Sequence, residues 1–446
     1  MARPNTAPYG SWKSPITADV VAAGEVGLEQ VRLDGADVYW VERRSQEGGR
    51  KVIVRRSPDG QVTDMTPVGF NSRTRVHEYG GGDYAVLGGM IIFSNFADQR
   101  LHLQNLGSEP KPLTPAAELR YADGVIDPGK NLLFCVREDH TAHGEAINTL
   151  AGIDLRGQNA GTIIVSGNHF YSSPRLSPNG SRLAWLTWNH PNMPWDGTEL
   201  WVGKLNEYGR VHEQRRVAGE VNESIVQPEW SPDGALYFVS DRTGWWNIYR
   251  WRDEKVEPLC PMDAEFGQPQ WVFASALYSF VSEGRIVCSY SKNGRDYLAT
   301  LETSTRALNN IELPFTAISQ VRVAGDRVIF IGASSTEPTS IVSLNLATNK
   351  LEVLRRSRDI AVDAGYLADP RAIEFPTERG LTAHANYYPP RNRDYVGPVN
   401  EKPPLLVMSH GGPTSASSAA LKYGVQYWTS RGIAVLDINY GGSSGY

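Results

Sequence analysis

Cysteine is scarce in these 446 residues. There are three, Cys135, Cys260 and Cys288, far apart in the chain. They make no C-x-x-C pair and no metal-ligand spacing, which argues against a disulfide framework or a zinc site and for a reducing, cytoplasmic setting. Long apolar runs are missing too. No stretch of about 18 apolar residues occurs, and the opening MARPNTAPYGSWKSP has no apolar h-region, so neither a membrane span nor a signal peptide is expected. Blocks of like charge are also absent: 44 Lys+Arg face 49 Asp+Glu with both signs interspersed. Such a surface suits neither nucleic acid nor an anionic membrane. No cluster of metal-ligating residues is visible, and no metal or organic cofactor is implied.

What the chain has in quantity is turn formers and aromatics: 43 Gly, 28 Pro, 12 Trp and 20 Tyr. Frequent turns with β-prone aromatics indicate an all-β architecture over much of the length. A short pattern recurs, a turn with Pro, Gly or Asp and then an apolar β-run. Ser177-Pro178-Asn179-Gly180 precedes RLAWLTW, Ser231-Pro232-Asp233-Gly234 precedes ALYFVS, and Asp127-Pro128-Gly129 precedes KNLLFCV. Looser versions stand at Leu33-Asp34-Gly35, Leu87-Gly88-Gly89, Ser282-Glu283-Gly284 and Gly325-Asp326. Pro presets φ and Gly or Asn accepts positive φ, so each is a hairpin signal with a mechanism. The runs recur every roughly 40 to 55 residues, the period of a four-stranded blade. An all-β propeller of about seven four-stranded blades is expected over 27–368, after an N-terminal extension at 1–26. Two β-sandwiches or a stacked solenoid fit the even spacing less well. Trp185, Trp188, Trp195, Trp245 and Trp246 are read as packing between blades rather than lining a chamber.

Near residue 368 the pattern changes. Arg371–Phe375 and Leu381–Tyr388 read as strands around a turn, and Leu405-Leu406-Val407-Met408 as a strand buried on both faces. Residues 417–430 carry Leu421, Val425 and Trp428 at helical spacing, with Gly432 just beyond. Ile433–Ile438 is a second buried strand. This β–loop–α–β order is the opening of a doubly wound sheet; with the loop described next, 369–446 is expected to be the incomplete start of an α/β-hydrolase domain. Between the first buried strand and its helix lies Ser409-His410-Gly411-Gly412-Pro413. Paired glycines at a strand end let backbone N–H groups approach a ligand with no Cβ in the way. In hydrolases of this class the loop supplies an oxyanion donor. His410, Gly411 and Gly412 are therefore the candidate oxyanion loop, with a plain strand-to-helix turn as the alternative.

The succession of a propeller, a strand pair, PLLVMSHGGPTS, a helix and DINYGGSSGY resembles the prolyl oligopeptidase family of serine peptidases, in particular its acylaminoacyl-peptidase and dipeptidyl-peptidase branch. RVHEYGGG at 75–82 and WDGTELW at 195–201 are similar to that branch as well. The resemblance implies hydrolysis of short peptides by acyl transfer. It implies a propeller that caps the active site, whose acidic residues can pair with a substrate's free amine. Glu78, Glu138 and Asp139 are the candidates; the alternative is that all three are solvated loop carboxylates. In the family NYGGSSGY lies upstream of the nucleophile, so its G-x-S-x-G match at Ser443 is expected to be a turn rather than a nucleophile elbow. An elbow needs a helix behind the serine, then an acid and a histidine downstream. The nucleophile, acid and base are accordingly expected to be absent from these residues, and the chain alone to be a truncated, inactive fragment. Two other readings remain: a non-catalytic propeller scaffold with a hydrolase remnant, and an esterase or amidase on the same architecture.

Overall fold

The computed structural model describes residues 3–359, 362–412 and 414–446; Pro413 of the HGGP string lies outside them. Seven consecutive four-stranded antiparallel sheets, at 26–64, 84–112, 119–165, 170–218, 225–258, 278–311 and 317–356, form the blades of a propeller, blades 1 to 7 in chain order. All seven turn motifs read from the sequence sit at the same place, between the first and second strands of a blade. Residues 177–180 join Phe170–Leu176 to Arg182–Trp188, and 231–234 join Ile225–Trp230 to Leu236–Ser240. Each closes on a backbone hydrogen bond, Gly180 N to Ser177 O at 2.8 Å and Gly234 N to Ser231 O at 2.9 Å.

Apolar side chains fill the spaces between neighbouring blades. Phe134, Tyr171, Leu183 and Trp185 pack blade 3 against blade 4, and Tyr237, Ile248, Tyr278 and Ile286 pack blade 5 against blade 6. Each fully buried side chain of this kind contributes roughly 1.5–3 kcal/mol relative to exposure. Every blade uses strands consecutive in sequence, so the ring is closed by side chains and not by a shared sheet. Val31 and Trp40 of blade 1 pack on Ile329, Ile331 and Ile341 of blade 7. Arg355 reaches the buried Glu42 at 2.8 Å, and Val26 N donates to Ser357 O at 3.0 Å.

The first strands of the blades surround the axis. Each blade carries a residue with positive φ in or just before that strand: Gln30, Gly82, Asp123, Ser173, Gln227, Ala274 and Gln320. In five blades the strand ladder slips at this residue. Such bulges bend the strand and re-aim the side chains that follow.

The eighth sheet contains β1 (Arg371–Pro376), β2 (Thr382–Tyr388), β3 (Leu405–Ser409) and β4 (Ala434–Asn439), in the order β1-β2-β4-β3. β3 and β4 run parallel, linked through α1 (Tyr423–Thr429). Two expectations need correction. Leu405 and Val407 are each 54 % exposed rather than buried on both faces: they share one face of an edge strand, while Leu406 on the other face packs against Tyr388, Val425 and Val435. The helix begins at Tyr423 and not at 417. Ser417 is held by the sheet: its N–H donates to Asn439 Oδ1 at 2.7 Å and its hydroxyl to Asp437 Oδ1 at 2.6 Å. The N-terminal residues pack on the helix and the connections of this unit. Asn5–Thr6 pairs with Tyr395–Val396, Trp12 lies against Gly432, and Ile16 is fully buried. No helix among the described residues is long and apolar enough to cross a membrane.

Candidate active site

β3 ends at Ser409 and delivers His410, Gly411 and Gly412 to the side of the sheet that faces the propeller. Gly412 has φ 86°, and a Cβ there would meet Trp271 Cζ2 at 3.3 Å. Glycine is thus required both for the turn and for the close approach. Trp271, between blades 5 and 6, donates its indole N–H to Thr414 O at 2.8 Å. Tyr440 stacks on the His410 ring, centroids 4.4 Å apart, and donates to Gly412 O at 3.0 Å. Neither Gly411 N nor Gly412 N has a backbone acceptor among the described residues. The loop is held by its carbonyls and side chains.

The structure also joins His410 to Ser443, with Nε2 2.7 Å from Oγ. His410 Nδ1 lies 3.0 Å from Gly411 O. A carbonyl only accepts, so Nδ1 carries the proton and the Ser443 hydroxyl donates to Nε2. Among the described residues no carboxylate backs the imidazole. Ser443 stands in a turn after β4, beside Gly442 at φ 96°.

Across Trp271 from this loop, the propeller opens a cavity of about 900 Å³ lined by His77, Glu78, Arg120, Glu138, His140, Phe170, Trp188, Trp195, Trp271 and Phe273. Its acidic wall starts from the glycine run. His77 and Glu78 have φ of 53° and 62°, a tight turn that suits the glycines behind it. A Cβ on Gly80 would strike Thr74 O, and one on Gly81 would lie 2.8 Å from Phe273 N. The turn places His77 N–H 2.7 Å from Glu138 Oε1. Glu138 is buried, 3.0 Å from His140 Nε2 and 3.8 Å from Arg120. Glu78, on an exposed side chain, meets the same Arg120 at 3.2 Å. Two carboxylates, one from blade 3 and one from the turn before blade 2, therefore share one guanidinium on the cavity wall. Burial pushes the His77 imidazole down to about 4, so it is neutral at pH 7. Its Nε2 is buried without a partner.

Asp139 is not brought to this wall. It accepts from the Thr141 N–H at 3.0 Å and hydroxyl at 2.6 Å, faces Arg137 at 3.5 Å, and is held below the usual carboxylate range first by the Thr141 hydroxyl. The tryptophans divide. Trp185 and Trp246 are core between blades, whereas Trp188 and Trp195 line the cavity. Trp195 packs on Trp271 with centroids 4.2 Å apart. Arg120, His140, Trp271 and Phe273 went unread in the sequence, since no local pattern marks them. Among the described residues no three His, Cys, Asp or Glu side chains gather as a metal would require.

A seven-bladed propeller whose inner cavity faces a strand–glycine loop–helix unit defines a propeller-capped hydrolase. Comparison with solved structures narrows this. A Mycobacterium tuberculosis puromycin-hydrolyzing peptidase superposes with a TM-score of 0.93 at 38 % identity, over 99 % of this chain and 70 % of that one. A serine-to-alanine mutant of puromycin hydrolase complexed with PGG gives 0.92 and 37 % over the same shares. A prolyl endopeptidase shares the fold, with a TM-score of 0.73 at 15 % identity over 97 % of this chain and 65 % of that one. No family model matches the sequence, and no curated protein does. The chain belongs to the prolyl oligopeptidase family of peptidases.

Proposed function

We propose that this chain serves serine-type hydrolysis of short peptides that present a free amino terminus. The cavity takes the peptide; Glu138 and Glu78 hold its ammonium; the Gly411 and Gly412 amides face the carbonyl to be attacked. The observation that carries this reading is the pair of carboxylates on one Arg120, in a cavity of about 900 Å³ that is also lined by Trp271, which braces the glycine loop. A scaffold needs neither the acidic wall nor two glycines with free amides. An esterase would not need a carboxylate pair for an ammonium. Relatives that hydrolyse puromycin, and one seen with PGG, support a small ligand and a serine at the chemistry.

One observation favours a second reading. The Ser443 hydroxyl donating to His410 Nε2 resembles an activated nucleophile. Against it stand the missing carboxylate behind His410 and the turn, rather than a strand-to-helix elbow, that carries Ser443. On the first reading Ser443 is not the nucleophile, and with Tyr440 it positions the loop. A fluorophosphonate probe separates the two: no label at Ser443 is expected, and stoichiometric labelling lost in Ser443→Ala would establish the second reading. For the amine site, Glu138→Gln should weaken binding of a free-amine tripeptide by about 10- to 100-fold, the worth of a charge-assisted hydrogen bond. Equal binding by wild type and variant would remove Glu138 from the proposal.

A further inference from the structure

The propeller axis carries charge that the peptidase reading does not use. In four blades the residue two places after the positive-φ position is charged: Arg32 after Gln30, Arg175 after Ser173, Glu229 after Gln227 and Arg322 after Gln320. The repeated bulge gives these side chains equivalent places on the first strands, around the axis. The charges do not cancel pairwise. Arg175 takes both acids, Asp123 at 3.3 Å and Glu229 at 3.2 Å. The other nearby carboxylate, Asp83, is occupied by Lys51 at 3.3 Å and by Gln30. Arg32 and Arg322 have no carboxylate within ion-pair distance among the described residues. Arg322 spends its Nε on Val31 O, 3.1 Å away beside Arg32. Its Nη2 is shut off from solvent and has no partner.

Both side chains are partly buried, and two neighbouring guanidiniums with no ion-pair partner are costly unless an anion joins them. Burial holds both below the usual guanidinium value, and for Arg322 the next largest cause is Arg32 itself. We propose that Arg32 and Arg322 together hold a small oxyanion on the propeller axis. Their planar forks suit a phosphate or a carboxylate, each with oxygens that accept paired N–H bonds. Either a free inorganic anion or the carboxylate of a bound peptide has this chemistry. The second source is within the geometry because the axis adjoins the cavity: Gln270 lines the cavity and lies 3.5 Å from Ser172, three residues before Arg175 on the same strand.

Thermal unfolding at constant ionic strength tests the site with three probes: inorganic phosphate, a short peptide acid and the same peptide as its C-terminal amide. Phosphate should raise the wild-type midpoint saturably, and Arg322→Met and Arg32→Met should abolish the response. If the Met variants do not fold, Arg322→Lys keeps the charge and loses the fork, and should weaken the response by about tenfold. A peptide acid that stabilises more than its amide, with the difference lost in the Arg322 variant, assigns the site to the substrate carboxylate. A response to phosphate alone assigns it to a free anion. No response to phosphate and no difference between acid and amide, or responses that survive the Arg322 variant, would overturn the site.

Discussion

At the scale of single residues, the cavity wall is built around a histidine that stays neutral. His77 sits among Phe170, Trp188 and Phe273, with ring centroids 4.8–5.4 Å away. Burial pushes it from 6.5 down to about 4. Between those values the unfolded chain binds a proton that folded His77 refuses, so acidification through this window destabilises the fold. The contribution is on the order of 3 kcal/mol across the window. Asp241 and Asp296 oppose it. Burial pushes both up to about 6, so below that the folded state binds protons the unfolded one does not. These contributions overlap in pH, so the difference between wild type and a variant is what isolates His77. His77→Phe keeps the aromatic contacts and removes the titration. Stability difference curves measured from pH 7 to pH 4 should diverge, with the variant gaining on wild type as pH falls. Parallel curves would show that His77 titrates normally. Nothing in RVHEYGGG announced this. The stretch was legible only as a resemblance, and the rings that bury His77 come from blade 4 and from the segment before blade 6.

At the scale of elements, the blades were readable and the eighth sheet was only partly so. Each SPNG or SPDG turn is a local event, set by four residues, and all seven motifs fell between first and second strands. The exposure of β3 is not local. LLVM has the composition of a strand buried on both faces, and only its neighbours decide whether it is. The late start of α1 has the same origin, since Ser417 is captured by Asp437 and Asn439 from across the sheet. Two predictions belong here. Trp12 is 5 % exposed, packs on Gly432 and bonds Ala7 O at 3.1 Å, so it ties the N-terminal residues to the end of α1. Trp12→Ala should cost about 3–5 kcal/mol in denaturant unfolding. A loss under ~1 kcal/mol would mean that the N-terminal strap is incidental. Trp271→Ala removes the indole bond to Thr414 O, and hydrogen exchange of the Ser417 and Ser444 amides, which donate to Asn439 Oδ1 and Ser415 O, should accelerate by about tenfold. Unchanged exchange would show that Tyr440 alone holds the glycine loop.

At the scale of the whole molecule, a closed ring brings together what the sequence keeps far apart. Glu78, Glu138 and Trp271 come from a loop, from blade 3 and from the segment before blade 6, and only closure sets them around one cavity. Residue reading could name Glu78 and Glu138 through a resemblance. It could not place Arg120 between them or turn Asp139 away, because those follow from strand register and the Thr141 cap. Closure itself rests on Trp40 against Ile329 and Ile331. Trp40→Ala should cost about 3–5 kcal/mol and weaken peptide binding although Trp40 does not line the cavity. Lost stability with unchanged affinity would uncouple the ring from the site. The central claim is that this cavity selects a free amino terminus. Calorimetry on the 446-residue chain with one tripeptide, unmodified and N-acetylated, tests it most directly. The expected result is saturable binding of the free peptide and affinity at least about tenfold weaker for its acetylated twin; equal affinity for the two, or tighter binding of the acetylated form, would contradict it.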